Sequence, residues 1–276
     1  MRNLLLLMLI FLPGLTQKIS AQGDLLVSPV RVIFEGNRQK EEISLVNAGN
    51  DSATYSISFL QYDMTEDGDF VLIEKPVEGQ MFADPYLRVF PRRVTLAPRE
   101  AQVVRLQFRR VPNMVSGEYR SHLYFRAEKD NKPLGLDKTT LDPKLMSVQI
   151  TPVFGISIPV IIRTGEVQVV STLSNMKIEM QQDTIANLML TINRTGNISV
   201  YGDIVAEYVP AKGKTLEIGL VRGVAVYANT NKRNISVRLG NIKGVNLHTG
   251  KIRVRYMGPK DIPYILYAEK ELVLNR

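Results

Sequence analysis

Four short stretches bring together residue types that could do chemistry. Asp63-x-Thr65-x-Asp67-Gly68, with Glu74 further on, has the spacing of a calcium-binding loop, in which oxygen ligands at set positions lie between two helices. The flanks Thr54 to Tyr62 and Phe70 to Ile73 alternate apolar and polar residues as strands do, so Asp67-Gly68 reads as the turn of a hairpin. Lys212-Gly213-Lys214-Thr215 has the tail of a phosphate-binding loop, but Tyr208 stands where the first glycine belongs and no helical pattern follows. His122 shares a strand face with Arg120, Tyr124 and Arg126. Neighbouring cations disfavour its protonated form and repel a metal, which makes it a poor general base or ligand. His248, before Thr249-Gly250, reads as an exposed turn residue.

The chain has no cysteine and only two histidines, which removes thiolate catalysis, disulfides and any metal site built from Cys or His clusters. No serine lies in a Gly-x-Ser-x-Gly setting and no carboxylate pair stands apart from the scattered surface acids. The expectation is a protein that is not an enzyme and uses no metal and no cofactor. Asn50, Asn193, Asn197 and Asn234 open glycosylation-like triplets, read as turns and strand ends.

The elements that carry these residues are strands. From Leu25 onward apolar residues recur at every second position in short runs bounded by Gly, Pro, Asn and Asp, and no stretch has the helical period. The first group covers Leu25 to Phe34, Glu42 to Asn47, Thr54 to Tyr62, Phe70 to Ile73, Leu87 to Phe90, Gln102 to Phe108, Glu118 to Ala127 and Ser147 to Ile162. That is enough for one β-sandwich. After the polar break Arg163-Thr164-Gly165-Glu166 the same kind of pattern restarts and runs to Val273. The expected organisation is a signal peptide over residues 1–21, an immunoglobulin-like domain over 22–163 and a second β-sandwich over 164–276. The leader rests on Arg2, the apolar run Leu4 to Leu12 and Ile19-Ser20-Ala21 before the cut. That run is shorter than the roughly 20 residues a spanning helix needs, so the mature product is expected to be exported and soluble, without membrane insertion. Loss of residues 1–21 removes Arg2 and Lys18 and no acid, taking the net charge from +8 to +6. No run of five cations accompanies this balance, so nucleic acid is set aside as a partner. Glu128 to Met146, rich in Lys, Asp and Pro, reads as a mobile loop.

The most unusual stretch is Val148 to Ile162. It is longer than an ordinary strand and apolar on one face throughout. Pro152 and Pro159 cannot donate to a ladder, which an edge strand tolerates and a central strand does not. A long apolar edge invites another chain to pair with it, either a client by β-augmentation or a second copy by self-association. The other reading is a strand buried between the two domains with the prolines at bulges.

Several segments together resemble the PapD-type periplasmic pilus chaperones. Ser28 to Gly36 followed by Ile43 to Asn47 is similar to that family's first two strands, Phe90 to Leu106 to its proline corner and arginine-bearing strand, and Glu118 to Phe125 to its Glu-led strand. The resemblance covers the first domain well and the second only as a general sandwich. It implies a two-sandwich boomerang that binds a pilus or related secreted subunit in the periplasm and lends it a strand, with no cofactor. By the same resemblance Val148, Ile150, Phe154, Ile156 and Ile158 are donor-strand candidates, and Arg31 is half of an anchor for the subunit's terminal carboxylate. The other half is a lysine in the family. Here its position falls near Ser157, with no lysine from Ser147 to Ile162. Arg163 could substitute, Arg31 could act with hydroxyls, or the client could bind differently. Arg105 and Glu118 match a buried interdomain salt bridge, with Asp261 as an acid from the second domain. Without the family, Arg31 reads as an exposed strand arginine. A structural or adhesive surface module is the rival reading for the whole chain. Carbohydrate binding has little support in a chain without tryptophan.

Overall fold

Alternation decides which side chains become core. The computed structural model describes residues 24–128, 153–181, 185–240, 245–259 and 264–274. In β3 (Lys40–Asn47) the buried positions are Ile43, Leu45 and Asn47. In β9 (Ala101–Phe108) they are Val104, Leu106 and Phe108. Each such aliphatic side chain taken out of water stabilises the fold by roughly 1.5–3 kcal/mol.

Two sheets close the first sandwich. One runs in the order β1 (Leu25–Ser28), β3, β9, β7 (Leu87–Phe90). The other runs β2 (Val32–Phe34), β11 (Gly155–Thr164), β10 (Gly117–Ala127), β4 (Ala53–Leu60), β8 (Arg93–Leu96). A separate hairpin, β5 (Tyr62–Met64) and β6 (Phe70–Leu72), projects from this sandwich. The expected first strand, Leu25 to Phe34, divides at Pro29: β1 pairs with β3 in one sheet, and β2 pairs with β11 in the other. Proline lacks the N–H a continuous ladder would use, which suits a change of sheet. The switch places Arg31 at the crossing point.

The second sandwich packs β12 (Val169–Gln181), β13 (Ile185–Gly196) and β16 (Lys232–Arg238) against β15 (Leu216–Val226), β14 (Val200–Val209), β17 (Lys251–Met257) and β18 (Leu266–Val273). Its core centres on Leu188, Ile192, Ile204, Val254 and Tyr256. The fold is therefore two tandem immunoglobulin-like β-sandwiches. The hairpin expected at Asp67-Gly68 forms, with Gly68 at φ 89° where a side chain would be strained. Among the described residues the only helical element is the 3-10 turn Asp84–Tyr86.

Asn47 is buried at the end of β3, and its side chain is fully engaged. The Asn47 amide donates to the carbonyls of Asp51, Leu96 and Ala97 and accepts from the N–H of Gly49. It thereby ties the end of β3 to the end of β8, as a buried amide must be tied. The leader, most of the Glu128 to Met146 stretch, Val148, Ile150, Pro152 and Asp261 lie outside the described residues.

Candidate functional site: a cleft between the two sandwiches

β10 opens with Gly117-Glu118-Tyr119-Arg120, and its burial is nearly continuous because one face meets the sandwich core and the other meets the second domain. Glu118 is 2% exposed. Its Oε1 accepts from Nε and Nη2 of Arg120 at 3.2 and 2.6 Å. Its Oε2 accepts from Arg163 Nε at 3.3 Å and from the N–H and hydroxyl of Ser199 at 3.1 and 2.7 Å. Burial alone would raise the Glu118 carboxyl, but Arg120 and Arg163 beside it, with the Ser199 hydroxyl, hold it below the usual carboxylate range. Arg194 completes this seam from the second domain. Fully buried, it donates to the carbonyls of Gly196, Ile198, Ala228 and Thr230, fixing the two loops that meet the first sandwich.

A second seam is built by the hairpin. Asn229 donates to Asp63, the Thr230 hydroxyl to the Met64 carbonyl, the Asn234 N–H to the Glu66 carbonyl and the Asn234 amide to Asp67. Met64 is buried against Ala225 and Tyr227. The aspartates that mimicked a calcium loop are thus hydrogen-bonded to asparagines of the second domain.

Between the seams lies a cleft of about 510 Å³. Arg31, Ser157 and His122 line it from the first sandwich, Tyr62 and Phe70 from the hairpin, and Tyr201, Tyr227 and Arg233 from the second. The Arg31 guanidinium stacks on the Tyr201 ring, 3.6 Å from its centroid, a cation–π contact. It forms no ion pair among the described residues. Burial, then the like charge of Arg120, lowers the Arg31 pKa. His122 is held at about 3 by burial and then by Arg120 and Arg31, so it is neutral, with Nε2 3.0 Å from the Tyr227 hydroxyl. Tyr227 in turn carries Arg120 over its ring at 3.9 Å. Phe70 is 54% exposed and tilts against Tyr62 and Tyr227. The cleft is aromatic, positively charged and short of acids.

β11 borders this cleft. β10 pairs along all of Gly155 to Thr164, but β2 covers only Val160 to Ile162, so from Gly155 to Pro159 one side has no strand partner among the described residues. The Ala127 N–H donates to the Phe154 carbonyl at 2.9 Å, which sets the alternation of an antiparallel pair. Phe154, Ile156 and Ile158 direct their backbone groups at β10, and Gly155 and Ser157 direct theirs at the open side. Pro159, next in that series, offers only its carbonyl. The strand is thus an edge over half its length and an interior strand over the rest. Val160 to Ile162 are covered by β2 of the same sandwich and not by the second domain, and the pairing with β10 runs through Pro159 without a bulge.

The structure brings Arg31 and Ser157 to one cleft and moves other expected residues elsewhere. Phe154 is 46% exposed and Ile156 half-buried. Ile158, expected among the donor side chains, is committed to the core of its own sandwich, because it shares a sheet face with Val160 and Ile162. Arg105 is not in the junction: it occupies an outward position of β9, with its side chain 76% exposed and 3.4 Å from Glu42. The partner that Glu118 has in its place is Arg120, two residues along the same strand. Arg163 is engaged with Glu118, Glu35 and the Ser199 carbonyl and does not line the cleft. Sequence reasoning missed Tyr201, Tyr227 and Arg233 as site residues, because nothing local distinguishes them. Among the described residues no group of three His, Asp or Glu is placed to hold a metal.

Three solved structures are similar to this chain over most of its length. The YadV chaperone is similar at 13% identity and a TM-score of 0.46, over 90% of this chain and 100% of that one. The CsuC–CsuE chaperone–tip subunit pre-assembly complex from Csu pili of Acinetobacter baumannii is similar at 12% identity and 0.47, over 88% and 98%. The SafB chaperone complex with SafA pilin from Salmonella enterica is similar at 13% identity and 0.42, over 91% and 97%. No protein-family profile and no curated protein matches the sequence.

Proposed function

We propose that this chain is a non-catalytic periplasmic chaperone for pilus or related secreted subunits. It lends the open side of β11 to a client whose own sheet is incomplete and holds the client's terminal carboxylate at Arg31. The observation that carries this reading is the half-covered strand: the backbone groups of Gly155 and Ser157 face a free side that opens onto a cleft holding an arginine without an acid. A client strand placed there would satisfy its own backbone groups and those of β11 together, as in β-augmentation. A guanidinium suits the carboxylate because it can donate to both oxygens.

The reading also explains why the edge is short. β2 closes the strand at Val160 and Pro159 removes a donor, so only Gly155 and Ser157 keep complete backbone pairs on the open side among the described residues. A short edge limits uncontrolled pairing between copies. Purification of the tagged full-length protein from the periplasm should recover a stoichiometric subunit, and Arg31→Ala should lose it while remaining folded. Equal recovery with Arg31→Ala would remove the anchor from this account. Absence of any partner would favour a stand-alone surface module.

A further inference from the structure

The hairpin of β5 and β6 has one engaged edge and one free edge. The Ile73 N–H donates to the Gln61 carbonyl and the Thr65 N–H to the Asp69 carbonyl, both at 3.0 Å, and the register Tyr62↔Leu72, Asp63↔Val71, Met64↔Phe70 lies between them. An antiparallel pair alternates bonded and non-bonded positions. Val71 therefore directs its backbone groups at β5, while Phe70 and Leu72 direct theirs outward, as Tyr62 and Met64 do on the other strand. On that other strand the outward carbonyls are taken: Tyr62 accepts from the Gln80 amide at 2.8 Å and Met64 from the Thr230 hydroxyl at 3.0 Å. The outward N–H and carbonyl groups of Phe70 and Leu72 have no partner among the described residues. Phe70, Val71 and Leu72 are each at least half exposed. A native fold ordinarily blunts an apolar free edge of this kind.

The charge around this edge is equally unanswered. Residues 63–78 hold six acids and one cation, Lys75, in a chain whose net charge is +8. None of the six carboxylates forms an ion pair among the described residues. Asp63 and Asp67 accept from Asn229 and Asn234, and Asp69 feels Arg233 without pairing to it. Glu66, Asp67, Asp69, Glu74 and Glu78 are exposed.

We propose that the outer edge of β6 is a docking surface for an extended polypeptide segment in which apolar residues alternate with lysine or arginine, a pairing edge separate from the one on β11. An added strand would complete the backbone groups of Phe70 and Leu72, lay every second side chain beside theirs, and bring the others beside Val71 and Asp69. The acids choose the sign of the partner: like charge sets the hairpins of two copies against each other, and opposite charge steers a basic segment to the edge. The edge is also held in place, because Asn229, Thr230 and Asn234 of the second sandwich fix β5 and the turn, so that binding loses little to ordering of the hairpin.

The test uses the full-length protein and two fluorescein-labelled hexapeptides, one alternating lysine with valine and one alternating glutamate with valine. Anisotropy titration at low ionic strength should show the lysine peptide binding at least about tenfold more tightly, with the preference shrinking as salt is added. Leu72→Pro removes an N–H that the hairpin itself does not use and should weaken the lysine peptide at least about tenfold. Combining Glu66→Gln, Asp69→Asn and Glu74→Gln should bring the two peptides within about threefold of one another. Equal binding of both peptides by the wild type rejects the basic partner. No binding, or binding that Leu72→Pro leaves intact, rejects the edge. Should Leu72→Pro fail to fold, hydrogen exchange of the wild type decides: the Phe70 and Leu72 amides should slow when the lysine peptide binds. If the Gly155 and Ser157 amides slow instead, the peptide is using β11, and the inference about β6 is wrong while the lent strand stands. A wild type that self-associates at low salt and becomes monomeric on Leu72→Pro would give the edge to a second copy and overturn the inference likewise.

Discussion

The seam at Glu118 and the cleft beside it are built from the same side chain put to opposite uses. At the seam, Arg120 and Arg163 converge on one carboxylate and Arg194 on a ring of carbonyls, so each charge is answered within the fold. In the cleft, Arg31 and Arg233 rest on a tyrosine ring and under a glycine, and neither meets an acid among the described residues. Guanidinium groups neutralised in place hold two domains together. Those left unanswered lie in a pocket lined by aromatic rings and a neutral histidine.

The largest expected effect breaks the first half of this contrast. Glu118→Ala leaves Arg120 and Arg163 as buried, unpaired cations and should cost about 3–5 kcal/mol in urea unfolding. Arg31→Ala removes a charge repelled by Arg120 and should change stability by less than about 1 kcal/mol, the scale of the lost ring contact. Similar losses for the two would erase the distinction.

Acid sharpens it. The folded pKa of His122 lies at about 3, below its unfolded value of 6.5, so between those pH values the unfolded chain binds a proton that the folded one refuses. Its contribution is complete above pH 6.5 and is lost as pH falls toward 3, with a slope of at most about 1.4 kcal/mol per pH unit. His122→Gln should flatten the stability profile between pH 6.5 and 5, a window above the ordinary carboxylate range. An unchanged slope would mean that the ring is not held neutral. Gly68→Ala comes next: strain at φ 89° and a methyl against the Arg233 guanidinium should cost about 1–2 kcal/mol by thermal unfolding. It should also displace Arg233 without changing charge. The smallest effect is Arg105→Ala, within about 0.5 kcal/mol, since its pairing with Glu42 is solvated. A loss above 2 kcal/mol would return Arg105 to the junction.

The strands were legible because their cores alternate strictly. Ile43 and Leu45, then Val104 and Leu106, announce β3 and β9 without any structure. The same period, applied to Arg105 between Val104 and Leu106, places it outside, where the structure has it; the resemblance drew it to the junction. β8 escaped notice because Arg93 to Leu96 is short and begins with a charge after a proline corner. The division of Leu25 to Phe34 between two sheets left only Pro29 as a signal. Arg31 and Ser157 were named through resemblance, and both line the cleft. Tyr227 and Arg233 could not be found locally, because contacts such as His122 with Tyr227 join positions 105 residues apart, and no short-range pattern encodes them.

Hydrogen exchange along β11, followed residue by residue in the free protein and with its co-purified subunit, tests the central claim most directly. In the free protein the Gly155 and Ser157 amides should exchange fast while Ile156 and Ile158, bonded to β10, exchange slowly; with the subunit bound, all four should be slow. Gly155 and Ser157 already protected in the free protein, or left fast in the complex, would contradict a lent strand.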